Sequence, residues 1–434
     1  MATSFYPPYN LGGDGIAVWR LGNALARRGH TVHVVHCADA FALLSPSGTT
    51  GTYPNHPNVT VHTLRSKAGA LSPLVTQQTG LPGFKAGPLR EIIESGRFDV
   101  LHFHNMSLIG PAALAYGPRD AIRLYTTHEH WLVCPMHVLW QYDRQVCEHP
   151  RCWACQIAGH RPPQLWRHTP AFGRWLGHVD AFIAPSRFTL RMHQERSRGW
   201  GLPELPFHHV PHFLPDQESG QKAEETMESA PGTTPGRPYF LFVGRLERIK
   251  GVQNLIDAFR SYDRADLLIA GDGGHGDELR AQAAGLGHVH FLGRRSQAEL
   301  RDLYRGAVAA LVPSICYEVF GLVVIEAFAQ GTPVIAHDLG ALPEIVDESG
   351  GGLVYRTPAE LIAAMDGLRL DPHRRRRLGE AGHAAYRRLW TEEAHMTTYV
   401  ALLREIAERK GLPMPRLAHL EPAGAAPVYQ PVAG

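Results

Sequence analysis

The chain has 434 residues, 44% of them hydrophobic and 19% charged, which is apolar material for two to three ordinary domains. Its formal net charge of +2 gives no argument for nucleic acid or a charged membrane as a partner, and the run Arg374 to Arg377 reads as decoration of a helix. Glu318 and Glu326 interrupt the longest apolar run before it reaches the roughly 20 residues that span a bilayer, and MATSFYPPYN lacks the basic and apolar regions of a signal peptide. A cytoplasmic location is therefore the default expectation, free or peripheral at the inner membrane face.

Short β-branched runs alternate with helical patterns along the chain, the signature of βαβ units and parallel sheets. The first strand should precede the glycine loop, yet only MATSF stands before YPPYNLGGDG, so the biological start is expected upstream. A helix follows over IAVWRLGNALARRG (16 to 29), closed by Gly29. Strands are then expected at TVHVVH (31 to 36), VTVHTL (59 to 64), DVLHFH (99 to 104), IRLYTTH (122 to 128) and AFIAPS (181 to 186). The alternation stops in the polar, Pro/Gly/Ser-rich stretch 214–237, which reads as a linker. It restarts with YFLFVGR (239 to 245), LLIAGDG (267 to 273), VHFLGR (289 to 294), AALVPS (309 to 314), TPVIAHD (332 to 338) and GLVY (352 to 355). Two helices are expected between Asp371 and Gly411, then a flexible tail over 412–434.

The expected organisation is an N-terminal Rossmann-like domain over 1–213 and a C-terminal one over 238–375. Helices in 376–411 are expected to pack back towards the first domain. Ligands of such doubly wound domains bind at the carboxyl ends of the strands.

Three segments carry polar groups to such ends. NLGGDG (10 to 15) precedes a helix, so backbone N–H groups there can approach an anion. In FVGRLERIKG, Arg245 and Lys250 lie between a strand and the helix expected near Val252, where a planar fork and a point charge can reach a diphosphate. In SICYEVFGLVVIEAFAQGTPVIA, Glu318 and Glu326 persist among apolar neighbours. A buried carboxylate is costly without a partner, so each must meet protein or ligand donors. A helix starting near Gly321 would leave Glu318 on the preceding loop and Glu326 inside the helix.

Residues 128 to 155, HEHWLVCPMHVLWQYDRQVCEHPRCWAC, carry Cys134, Cys147, Cys152 and Cys155. Four thiolates closing on a CxxC pair suit structural zinc, the first choice, with His137 or His149 as substitutes for one cysteine. An iron–sulfur cluster and free or disulfide-bonded thiols are the alternatives. Cys37 and Cys316 stand alone as small core hydrophobes.

With these residues in view, the sequence resembles the family 4 glycosyltransferases, retaining enzymes of the GT-B fold, whose two Rossmann-like doubly wound domains face across a cleft. The resemblance runs to about residue 390. It rests on FYPPYNLGGDG, LARRGHTVHVV, DVLHFHN, THEHWLVCP, FIAPSRFT, FVGRLERIKGV, LIAGDGG and YEVFGLVVIEAFAQGTPVIAHDLGALPEIV, the last holding a Glu-x7-Glu pattern as Glu318 and Glu326. It implies a nucleotide-sugar donor carrying UDP or GDP, and a glycan, lipid-linked or small-molecule acceptor. It also implies that no cofactor or divalent metal is required for the chemistry. Arg245 and Lys250 would bind the diphosphate, Glu326 the ribose, and Glu318 the donor sugar with the backbone N–H groups of Phe320, Gly321 and Leu322. Gly12 and Gly13 would approach the phosphates from the other side. His128 would lie near donor sugar and acceptor, although its THEH context also suits a role linked to the cysteines. The cysteine segment, read as an insertion over 134–165, would be structural or acceptor-side. The competing readings are a sugar-nucleotide epimerase of the same fold and a non-catalytic zinc-binding scaffold.

Overall fold

The computed structural model describes residues 1–44, 53–215 and 237–412. Most of the expected linker and nearly all of the expected tail fall outside the described residues. The chain forms two compact units: Met1–Asp143 with Glu148–His212 and the residues from Glu393, and Arg144–Cys147 with Phe213–Glu392.

The first unit contains β1 (Val32–Cys37), β2 (Val59–Leu64), β3 (Val100–Phe103) and β4 (Ile122–Thr126). It also holds β5 (Trp140–Gln141), β7 (Ala181–Ala184) and β8 (Phe207–His209), while the two-residue strand β6 (Gln145–Val146) falls among the residues of the second unit. β1 pairs with β2, and β3-β4-β7-β8 form a second ladder, all in parallel register. The opening residues join the two. Ala2 bridges Val35 on one side and Phe103 on the other, with Thr3 N–H donating to Val35 O at 3.0 Å and Ala2 N–H to His102 O at 2.9 Å. The few residues before the glycine loop thus fill the central strand position. Strand β8 was not anticipated; its FHH lacks the apolar run that marks a buried strand.

The second unit holds one six-stranded sheet in the order β11-β10-β9-β12-β13-β14. These strands are β9 (Tyr239–Val243), β10 (Asp266–Ala270), β11 (Val289–Gly293), β12 (Ala309–Val312), β13 (Val334–His337) and β14 (Gly352–Tyr355). Neighbours are parallel throughout. Alternation within the strands explains why they read as apolar runs. Phe240, Phe242, Leu267, Ile269 and Leu311 enter one core, while Leu241, Leu268, Ala310, Val312 and Val334 enter another. Both faces are covered, so each inward side chain removes apolar area from water, worth roughly 1.5–3 kcal/mol for a fully buried Leu, Ile, Val or Phe. The order places β9 beside β12, where the winding direction of the sheet reverses, and doubly wound folds bind ligands beyond the strand ends at that point.

The two C-terminal helices, Pro372–Leu389 and Glu392–Lys410, divide between the units. The first packs Ala385 and Tyr386 into the core that holds Val324 and Phe328, so it belongs to the second unit. The residues from Glu393 belong to the first unit. Apolar matching to the helix Leu322–Ala329 decides the place of Pro372–Leu389, and helical periodicity alone does not reveal it. No helix among the described residues is long and apolar enough to cross a membrane.

Candidate functional site

In the second unit, three loops at the carboxyl ends of β9, β12 and β13 meet. The loop after β9 turns through Arg248–Lys250 and enters the helix Val252–Phe259. Ile315 N–H, on the loop after β12, donates to Ile249 O at 2.9 Å. At Gly251, φ is +74° and an added Cβ would lie 2.0 Å from Pro313 O, so only glycine lets these loops close together. The loop after β13 joins through Ala341 N–H, which donates to Glu318 O at 3.1 Å, and through His337 Nδ1, 2.8 Å from Ser314 O.

This clamp holds Lys250 Nζ 2.6 Å from Glu318 Oε1, with side-chain exposures of 22% and 17%. Ser314 Oγ donates to the same carboxylate oxygen at 2.5 Å. Burial by itself would push the Glu318 carboxyl up, but the Lys250 charge and the hydrogen bonds from Lys250 and Ser314 prevail, and it is held below the usual range. For Lys250, burial pulls down and Glu318 pulls up; the net effect is upward. The pair is therefore ionised. Both contacts fall on Oε1, which leaves Oε2 of Glu318 as a charged acceptor for a further donor.

Arg245 stands on the same loop, half exposed, with Nη1 2.5 Å from Glu247 Oε1. The helix Leu322–Ala329 begins beside Glu318, capped by Gly321 at φ +115°. Leu322 is its first residue, and Phe320 is buried beneath. Its Val324, Ile325, Ala327 and Phe328 are buried, which accounts for the apolar character of the stretch. Glu326 is half-buried on this helix and accepts a hydrogen bond from Tyr304 OH at 3.4 Å. Arg245, Lys250, Glu318, Glu326 and a helix N-terminus are thus gathered at the β9/β12 end of one sheet. That arrangement can hold an anion and accept hydroxyl protons.

In the first unit the helix starts at Gly13, with Gly12 as its cap, and not at Ile16. The glycines after Gly12 are first-turn residues, where N–H groups need no intrahelical acceptor and glycine costs little. At Gly15 a Cβ would lie 2.2 Å from Asn10 Oδ1 and 3.0 Å from Phe5 O, so a larger residue there displaces the Asn10 side chain.

His128, two residues past β4, contacts His104 at 2.9 Å between its Nε2 and the latter's Nδ1. It also stacks on His212, with ring centroids 5.1 Å apart and planes inclined by 6°. Burial holds His128 down at about 3, and His104 and His212 well below the ordinary histidine value. This histidine stack was missed in the sequence. DVLHFHN carried a partial signal, since His102 and His104 are two apart and share a face of an extended chain.

The cysteines do not fit the expected metal. Among the described residues no three His, Cys, Asp or Glu side chains gather as a ligand set. Cys134, Cys147 and Cys155 are buried, and Cys152 is half-buried at the start of the helix Cys152–Ala158. The charge near Cys134 and Cys152 is Arg167, which is 2% exposed and lies over Trp131 at 4.5 Å. Burial pulls its guanidinium down to about 10, while the neighbouring Cys134 pulls the other way. With no ligand set assembled among the described residues, zinc is not carried further.

The main sheets of both units are parallel, and the second unit gathers cations and carboxylates at one strand end. The same fold is found in sucrose-phosphate synthase from Thermosynechococcus elongatus, with a TM-score of 0.68 at 23% identity over 94% of this chain and 98% of that one. Anabaena HepE in complex with UDP gives 0.58 at 19% identity over the same shares. The family descriptions "Glycosyltransferase Family 4" and "Glycosyl transferases group 1" match residues 11–218 and 224–385. Glycogen synthase of Mycobacterium tuberculosis H37Rv is 30% identical over 96% of this chain and 97% of its own length. A D-inositol 3-phosphate glycosyltransferase of Nocardia farcinica is 37% identical over 40% of this chain and 43% of its own. The chain belongs to the family 4 glycosyltransferases, with the GT-B fold.

Proposed function

We propose that the chain is a retaining glycosyltransferase that takes a sugar from a nucleotide-sugar donor held on its second unit. The observation that carries the reading is the ionised Lys250–Glu318 pair, 2.6 Å apart beside Arg245 and the N-terminus of the helix Leu322–Ala329. Cations and a helix start together match a diphosphate, and the carboxylates match hydroxyls.

In this reading Arg245 and Lys250 take the two phosphates, with the backbone N–H groups of Gly321 and Leu322. Glu326 accepts from the ribose hydroxyls. Glu318, anchored through Oε1, offers Oε2 to a hydroxyl of the donor sugar. As the bond from the anomeric carbon to the leaving phosphate oxygen breaks, negative charge grows on the diphosphate, and fixed cations already in place stabilise it there. The departing phosphate takes the acceptor's proton on the same face of the sugar, which preserves the anomeric configuration. In the first unit, Gly12 and Gly13 have N–H groups suited to an anion, and His128 a ring nitrogen suited to a hydroxyl. Acceptors of the glycan, lipid-linked and small-molecule classes all have the hydroxyl this needs.

A thermal-shift panel of UDP- and GDP-sugars tests the reading: one donor should raise the melting temperature and release its nucleoside diphosphate slowly in water. A panel with no response would overturn it.

A further inference from the structure

The stack around His128 contains a proton-counting constraint. His104 is 1% exposed, and its Nδ1 lies 2.9 Å from His128 Nε2. Its other nitrogen, Nε2, is buried and makes no hydrogen bond among the described residues. The adjacent His102 ring, 4.0 Å from His104 between centroids, is already engaged at both nitrogens. Its Nδ1 is 3.1 Å from Tyr399 OH and its Nε2 2.8 Å from Thr126 Oγ1.

One hydrogen bond between two neutral imidazoles uses one N–H and one lone pair. If His128 donates, His104 must carry its own proton on Nε2, leaving a buried N–H without an acceptor. If His104 donates from Nδ1, its Nε2 is a bare lone pair. Orphaned buried N–H groups are the rarer and costlier case.

We propose that His104 is a positioning residue that locks His128 in its Nδ1–H tautomer, so that the other ring nitrogen of His128, Nδ1, is a hydrogen-bond donor. Its partner is then an oxygen acceptor, a sugar hydroxyl or a phosphate oxygen, and His128 is no base. The tautomer follows from the fold alone, whereas its use on a donor sugar rests on the transferase reading above.

The test is long-range proton–nitrogen correlation NMR of the full chain with labelled histidine at pH 7.5 without ligand, His128 being assigned by its disappearance in His128→Gln. The spectrum should show His128 protonated at Nδ1 and bare at Nε2. His104→Phe, which cannot donate, should release His128 to the Nε2–H form or a mixture. His104→Asn, whose amide can donate, should restore the wild-type pattern. Transfer rates should fall at least about tenfold in His104→Phe and recover in part in His104→Asn, with KM for the donor little changed. A wild-type His128 protonated at Nε2, or an unchanged pattern in His104→Phe, would overturn the proposal. Should His104→Phe fail to fold, the wild-type spectrum and His104→Asn decide it. Failure of every nucleotide sugar to bind would sink the transferase reading and leave the tautomer to the spectrum.

Discussion

Mild acid should destabilise the first unit far more than an ordinary α/β domain. Burial holds His36 at about 4, His193 at about 4 and His128 at about 3. Unfolded, each returns to about 6.5. The unfolded chain therefore binds more protons than the folded one below 6.5, and stability falls with pH from there down to the folded values. At pH 5.5, one pH unit below the unfolded value, each costs about 1.4 kcal/mol relative to neutral pH. These three alone remove about 4 kcal/mol from a domain stability of roughly 5–15 kcal/mol. His102, His104 and His212, also held down by burial, add in the same direction. Seven of the eight tryptophans lie in the first unit and only Trp390 in the second, so tryptophan fluorescence reads the right part of the chain. Urea titrations at pH 7.5 and 5.5 should show the midpoint falling by more than about 1 M. Coincident midpoints would mean that these rings protonate freely in the folded state, and the burial argument would fail.

Three further outcomes follow from the loops and thiols. Gly251→Ala places a Cβ 2.0 Å from Pro313 O at φ +74°, so its melting temperature should drop by several degrees and donor affinity should fall with it; a neutral effect would show that the clamp on Lys250 is unnecessary. Glu318→Gln removes a carboxylate held low by Lys250 and Ser314. That stabilisation is full above the unfolded value near 4.3 and is lost as pH falls through the folded one, so the variant should lose less stability than wild type between pH 5 and 3. A thiol reagent should modify half-buried Cys152 quickly, and the five other cysteines, which are buried, only on unfolding; zinc released with the thiols would restore the metal reading.

The strands of the second unit were legible because both faces are buried: YFLFV and DLLIA carry apolar residues at successive positions, a pattern a half-exposed strand cannot show. Arg245, Lys250, Glu318 and Glu326 were legible as polar residues at strand ends with a family pattern. What pairs with what was not. The Lys250–Glu318 contact spans 68 residues and depends on Gly251 closing against Pro313. The cysteine spacing misled because a ligand set needs convergence in space, which spacing alone does not supply. The histidine stack joins residues from 102 to 212, so only DVLHFHN held a hint of it.

Calorimetric titration of nucleotide sugars into wild type and Lys250→Ala tests the central claim most directly. The donor that stabilises the wild type should bind it with measurable heat and bind Lys250→Ala at least about tenfold more weakly, the loss of one charge-assisted contact to phosphate. Equal affinity in the two proteins, or no binding of any nucleotide sugar to the wild type, would contradict the account.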